Sequence, residues 1–157
     1  MTKMIVFDMD GTIADLYGVE NWLPMLRAED TTPYEIAEPL FNMTVLCGLL
    51  DALKMLGWKI AVTTWGAMNG SKEYNKRTMQ AKKEWLNKLD FPYDEFHGVK
   101  YGTTKADCTR GKADFQILVD DNEKIRNGWT LGKAIDPIDL IETLLAIIEE
   151  GVVEKTD

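Results

Sequence analysis

The chain has 157 residues, 45% of them hydrophobic and 28% charged, which fits a single domain over 1–157 with a substantial core. A formal net charge of −8 argues against extended nucleic-acid binding, whose affinity comes from Lys and Arg neutralising phosphates; a small anionic substrate stays open, because a local cation and lysine reverse the field inside one cleft. No apolar run reaches the length of a membrane span, and Cys47 and Cys108 lack metal or redox spacing, so the expectation is a soluble, cytoplasmic protein with reduced thiols, Cys47 in the core.

Strand-like runs alternate with helical patterns, which predicts an α/β protein: a five-stranded, mainly parallel sheet flanked by helices. The first strand covers residues 3–7 and runs into Asp8-Met9-Asp10-Gly11-Thr12. Residues two apart on a strand face the same way, so Asp8 and Asp10 converge at its carboxyl end. Gly11 relieves the backbone there and Thr12 adds a hydroxyl. Such a set suits a nucleophile, a proton donor and a cation site.

Residues 15–47 interrupt the α/β rhythm, with Pro24, Pro33 and Pro39 and short helical pieces expected over 21–27 and 34–41. Leu49, Leu50, Leu53 and Leu56 then recur at helical spacing, and Gly57 stops that helix before a strand over 59–63. Thr63, Thr64 and Trp65 follow at its carboxyl end. A helix over 71–89 has Ser71 as its cap and Tyr74, Thr78, Ala81, Trp85 and Leu89 on one face. Further strands are expected over 96–99, 115–119 and 133–135, with Thr103-Thr104-Lys105 opening a short helix and Asp120-Asp121 closing the fourth strand. Asp136-Pro137 starts the last helix, whose stripe of Ile141, Leu144, Leu145 and Ile148 runs to Gly151; the tail 154–157 is expected to fray. No repeat or low-complexity tract breaks the chain.

The segment around Asp8 to Thr12 resembles the first motif of the haloacid dehalogenase (HAD) superfamily, an apolar strand ending in Asp-x-Asp-Gly-Thr. The resemblance implies a Rossmann-like HAD fold in which the 15–47 insert is a small helical cap. It implies that Asp8 attacks phosphorus and that Asp10 serves as general acid, then base. Thr63, with Thr64 as second choice, resembles the second motif, whose hydroxyl and nearby N–H groups hold phosphate oxygens; Met9, Gly11, Thr12 and Trp65 are expected around the same group. Lys100, Lys105 and Lys112 compete for the third-motif lysine, and Lys105 is preferred because its turn-to-helix setting would hold the amine near the strand ends; the others read as solvated. Asp120-Asp121 resembles the fourth motif. The implied cofactor is Mg2+, held by the side chains of Asp8 and Asp120, the carbonyl of Asp10, and Asp121 directly or through water.

The expected activity is therefore that of a magnesium-dependent phosphomonoester hydrolase. An acid at position 10 disfavours halide chemistry, since the dehalogenases of this fold lack one there. Tyr17, Trp22, Phe41 and Trp65 offer aromatic faces for a nucleobase, and the site is loosely similar to small 5'(3')-deoxyribonucleotidases, which points to a nucleoside monophosphate. A sugar phosphate or a nucleic-acid end is the alternative substrate. A non-catalytic phosphate-binding protein of the same fold is the alternative class, and the intact Asp8 and Asp10 pair argues against it. His97 and the methionines read as structural, and Asp15 as a helix cap.

Overall fold

The computed structural model describes residues 1–156, with side chains through 154. In chain order the elements are β1 (Lys3–Phe7), β2 (Ala14–Asp15), a 3₁₀ turn (Leu16–Gly18), α1 (Trp22–Arg27), α2 (Thr32–Ile36), β3 (Glu38–Pro39), α3 (Met43–Met55) and β4 (Lys59–Trp65). They continue with α4 (Lys72–Lys88), β5 (Glu95–Val99), α5 (Lys105–Thr109), β6 (Phe115–Val119), α6 (Glu123–Asn127), β7 (Gly132–Ile135), a second 3₁₀ turn (Pro137–Asp139) and α7 (Leu140–Thr156). Five strands pair in the order β5-β4-β1-β6-β7, and every neighbouring pair is parallel. β2 and β3 form a separate antiparallel ribbon.

The alternation of side chains along the strands sorts the interior into two layers. Ile5, Phe7, Ile60, Val62, Ile117 and Val119 point into the main core, where α3, α4 and α7 contribute Leu50, Leu86 and Leu144. Met4, Val6, Ala61 and Leu118 point the other way, against Ile125 and Trp129. Strands covered on both faces read as continuous apolar runs, which is why the sheet is legible in the sequence. Helix starts are set by side chains that accept the orphan N–H groups: Asn42 from Val45, Ser71 from Tyr74, and Asn122 from Lys124 and Ile125.

Several boundaries differ from expectation. β4 runs on through Thr64 and Trp65, and α3 begins at Met43, so the expected insert boundary at residue 47 falls inside a helix. The piece expected over 34–41 is instead the short α2 followed by β3. Pro39 has no N–H to extend a helix, and its ring pushes Glu38 into extended geometry. Cys47 is half-buried rather than central, and the methionines divide: Met4 and Met9 are buried, Met1, Met55 and Met68 exposed. α7 stays helical to Thr156, while residue 157 of the expected frayed tail lies outside the described residues. Among the described residues no helix is long and apolar enough to cross a membrane.

This strand order positions the site. From β1 the chain continues to β4 on one side, and from its other neighbour β6 it continues to β7 on the opposite side, so the carboxyl ends of β1 and β6 form a topological switch point with a crevice above it.

Candidate active site

Asp8 immediately follows β1, and its N–H still donates to the Val119 carbonyl at 2.9 Å, so the sheet holds its backbone. Both carboxylate oxygens are engaged: Oδ1 accepts from Lys105 Nζ at 2.7 Å and Oδ2 from Thr12 Oγ1 at 2.9 Å. Lys105, on the first turn of α5, also donates to Asp120 Oδ2 at 2.8 Å. The other oxygen of Asp120 accepts the Asn122 N–H at 2.9 Å. Thr12 Oγ1 lies 3.1 Å from Asp121 Oδ1 as well, so one hydroxyl hydrogen serves two carboxylates.

Asp10 takes a different partner, one that the sequence reading missed. Lys82, fully buried on α4, donates to Asp10 Oδ2 at 2.9 Å, to Thr64 Oγ1 at 2.8 Å and to the Trp65 carbonyl at 3.0 Å. The Tyr34 ring of α2 lies beneath the same ammonium, 5.0 Å from centroid to nitrogen. A signal was available. Tyr74, Thr78, Lys82 and Leu86 are spaced four apart, which places this lysine on the buried stripe of α4.

Crowding of acids sets the electrostatics. Burial raises the Asp10 carboxyl above its ordinary value, with Lys82 pulling the other way. Burial and then Asp8 raise Asp120, against the pull of Lys105. Asp121 is pushed up to about 7, first by desolvation of a carboxyl aimed at Asp8 and Thr12, although the residue as a whole is exposed. Lys105 is raised: burial alone would lower it, and Asp8 and Asp120 outweigh that.

The carboxylate oxygens of Asp8, Asp120 and Asp121 lie within 4.8 Å of one another. Three hard oxygen donors balanced by the single ammonium of Lys105 fit a small divalent cation, which would take up the excess negative charge. The side chain of Asp10 is turned away from this group to Lys82, so it is no side-chain ligand of that set.

Asp8, Asp10, Thr64, Trp65, Lys105, Asp120 and Asp121 line one cleft of about 590 Å³. The preference between the threonines reverses: Thr64 lines the cleft, whereas Thr63 is fully buried and its hydroxyl has no partner among the described residues. Met9 packs into the main core. The N–H groups of Gly11 and Thr12 are spent inside the turn, on Ala14 and Met9 carbonyls at 2.8 and 3.2 Å, so neither is free for a phosphate oxygen. Two aromatic pairs border the cleft: Tyr17 with Trp22 from the insert, and Trp65 with Tyr101 from the sheet end, each with centroids 5.0 Å apart. Trp65 is fixed by its indole N–H, which donates to the Thr103 carbonyl at 2.8 Å. Phe41 packs on the core instead. Asp15 accepts the Gly18 N–H as a cap, His97 bonds to Glu95, and Lys100 and Lys112 are exposed.

No protein-family model matches the chain, and no curated protein matches it. Among solved structures it is similar to a chain in the structure of a Pnkp1/Rnl/Hen1 complex, at 19% identity and a TM-score of 0.58 over 87% of this chain. It spans 46% of that chain's length. A D,D-heptose 1,7-bisphosphate phosphatase from Burkholderia thailandensis aligns at 14% identity and a TM-score of 0.49, covering 81% of this chain and 71% of that one. The likeness is one of fold alone, an α/β fold with a parallel five-stranded sheet flanked by helices.

Proposed function

We propose that this chain is a magnesium-dependent phosphomonoester hydrolase that works through an aspartyl-phosphate on Asp8. The observation that carries the reading is the clamp on Asp8: a carboxylate held from two sides by Lys105 and Thr12, beside a second acid, at the mouth of a cleft. In the first step an Asp8 oxygen bonds to phosphorus, the ester bond breaks, and the Asp10 proton passes to the leaving oxygen. Water then attacks phosphorus, Asp10 takes its proton, and the Asp8–phosphorus bond breaks. Lys105 is placed to offset charge on Asp8, and Thr64 to orient a phosphoryl oxygen. Asp8, Asp120 and Asp121 would hold the magnesium ion, which supplies charge neutralisation at the phosphoryl group.

The substrate that fits best is a nucleoside monophosphate. A cleft of about 590 Å³ bordered by two aromatic pairs has room for a planar base as well as a phosphate. The test is phosphate release by purified protein from a panel of nucleoside monophosphates and sugar phosphates, with and without magnesium. Magnesium-dependent release, fastest from nucleotides and abolished in a folded Asp8→Asn variant, is expected. No release from any member, or substantial activity in Asp8→Asn, would remove the reading.

A further inference from the structure

We propose that Lys82 is the positioning residue for the proton donor of this site, holding Asp10 so that its proton sits on the oxygen that is not bonded to the lysine. The assignment rests on the phosphohydrolase reading above. An ammonium has three donors and no acceptor, and here all three go to oxygen: Asp10 Oδ2, Thr64 Oγ1 and the Trp65 carbonyl. A proton on Oδ2 would oppose an incoming N–H, so the acid form of Asp10 carries its proton on Oδ1. Among the described residues Oδ1 has no protein hydrogen bond. The Asp10 side chain keeps 18% exposure while that of Lys82 has none, so the lysine touches no substrate itself and reaches the leaving group through Asp10.

A purely structural lysine is the competing account, since Lys82 also ties α4 to the end of β4. Burying an ammonium is costly, however, and an apolar side chain of similar length would pack the same space without that cost. What the lysine adds is direction: the contacts from β4 and the Tyr34 ring confine the ammonium, and the ammonium confines the carboxyl.

The leaving group separates the accounts, because an alkoxide needs a proton as it departs and p-nitrophenolate does not. For Lys82→Met, kcat/KM on glycerol 2-phosphate should fall about 100-fold, against less than about 5-fold on p-nitrophenyl phosphate. In an Asp10→Asn background the same substitution should change the glycerol 2-phosphate rate by less than about twofold, because residues acting as a unit are not additive. Equal losses on both esters, or a full loss in the Asp10→Asn background, would overturn the assignment. If Lys82→Met alone does not fold, the double variant, which removes both charges, is compared with Asp10→Asn: equal rates support the proposal and a tenfold deficit overturns it. Wild-type protein inactive on both esters and on every nucleoside monophosphate and sugar phosphate of the panel would instead sink the phosphohydrolase reading on which the proposal rests.

Discussion

Lys105 shows how much of the site hangs on single residues. Its ammonium is nearly inaccessible and bridges Asp8 and Asp120, so removing it leaves two crowded carboxylates unpaired. Breaking a buried pair in this way costs about 3–5 kcal/mol, whereas a pair at the surface such as exposed Lys112 with half-buried Glu95 is worth roughly 0–1 kcal/mol. Lys105→Ala should therefore lower the midpoint of thermal unfolding strongly and cut phosphate release by at least about 100-fold, with Lys112→Ala near wild type in both. The reverse ranking would move the charge-balancing role to another lysine. Lys105 was legible because a Thr-Thr-Lys turn after an apolar strand places an amine at the sheet end. Lys82 was not, since a lysine in a helix rich in Lys and Glu reads as solvated until its four-residue spacing from Tyr74 and Thr78 is weighed. Likewise the choice between Thr63 and Thr64 depended on where β4 ends. Two further residues of strand put Thr64 on the cleft, and alternation turned Thr63 away.

At the scale of elements, the insert is held to the main body by α4. Glu29, at a left-handed backbone position, accepts from both the Ser71 N–H and hydroxyl at 2.8 and 2.7 Å, and the Tyr74 hydroxyl donates to the Asp30 carbonyl at 2.9 Å. Ser71 also caps α4 through the Tyr74 N–H. Ser71→Ala should thus cost about 1–2 kcal/mol, more than a plain cap, as a shift in denaturant midpoint would show. A loss no larger than a few tenths would mean that the staple contributes nothing. With the insert fixed, Trp22 becomes part of a standing wall of the cleft, packed edge-on against Tyr17. Trp22→Ala should raise KM for a nucleoside monophosphate about tenfold while leaving kcat, and turnover of p-nitrophenyl phosphate, near wild type; equal effects on both substrates would count against base stacking. The main strands were readable because double burial writes them as apolar runs. The insert was less so: its pieces are five or six residues long, too short for periodicity to choose between helix and strand.

For the whole molecule, a net charge of −8 and a cleft crowded with acids make stability depend on pH and metal together. Asp121 in the metal-free folded chain holds its proton up to about pH 7, whereas an ordinary carboxyl releases it near 3.8. The stability from this group is therefore complete below about pH 4 and lost as pH rises through 7. Asp10 and Asp120 are shifted in the same direction. Glu29, Asp30 and Asp114 are shifted downward by their hydrogen bonds, so they are ionised in both folded and unfolded chains above pH 5.5 and add no slope there. In chelator the melting temperature should accordingly fall between pH 5.5 and 8. Magnesium competes with protons for the same oxygens, so its stabilising effect should grow over that window. At ten times its dissociation constant the ion adds about 1.4 kcal/mol, which for a chain of this size is roughly 3–6 °C. Differential scanning fluorimetry with and without magnesium at the two pH values measures this directly. A magnesium shift that is absent at pH 8, or the same at both pH values, would mean that the acids at the ends of β1 and β6 do not act together as a cation site.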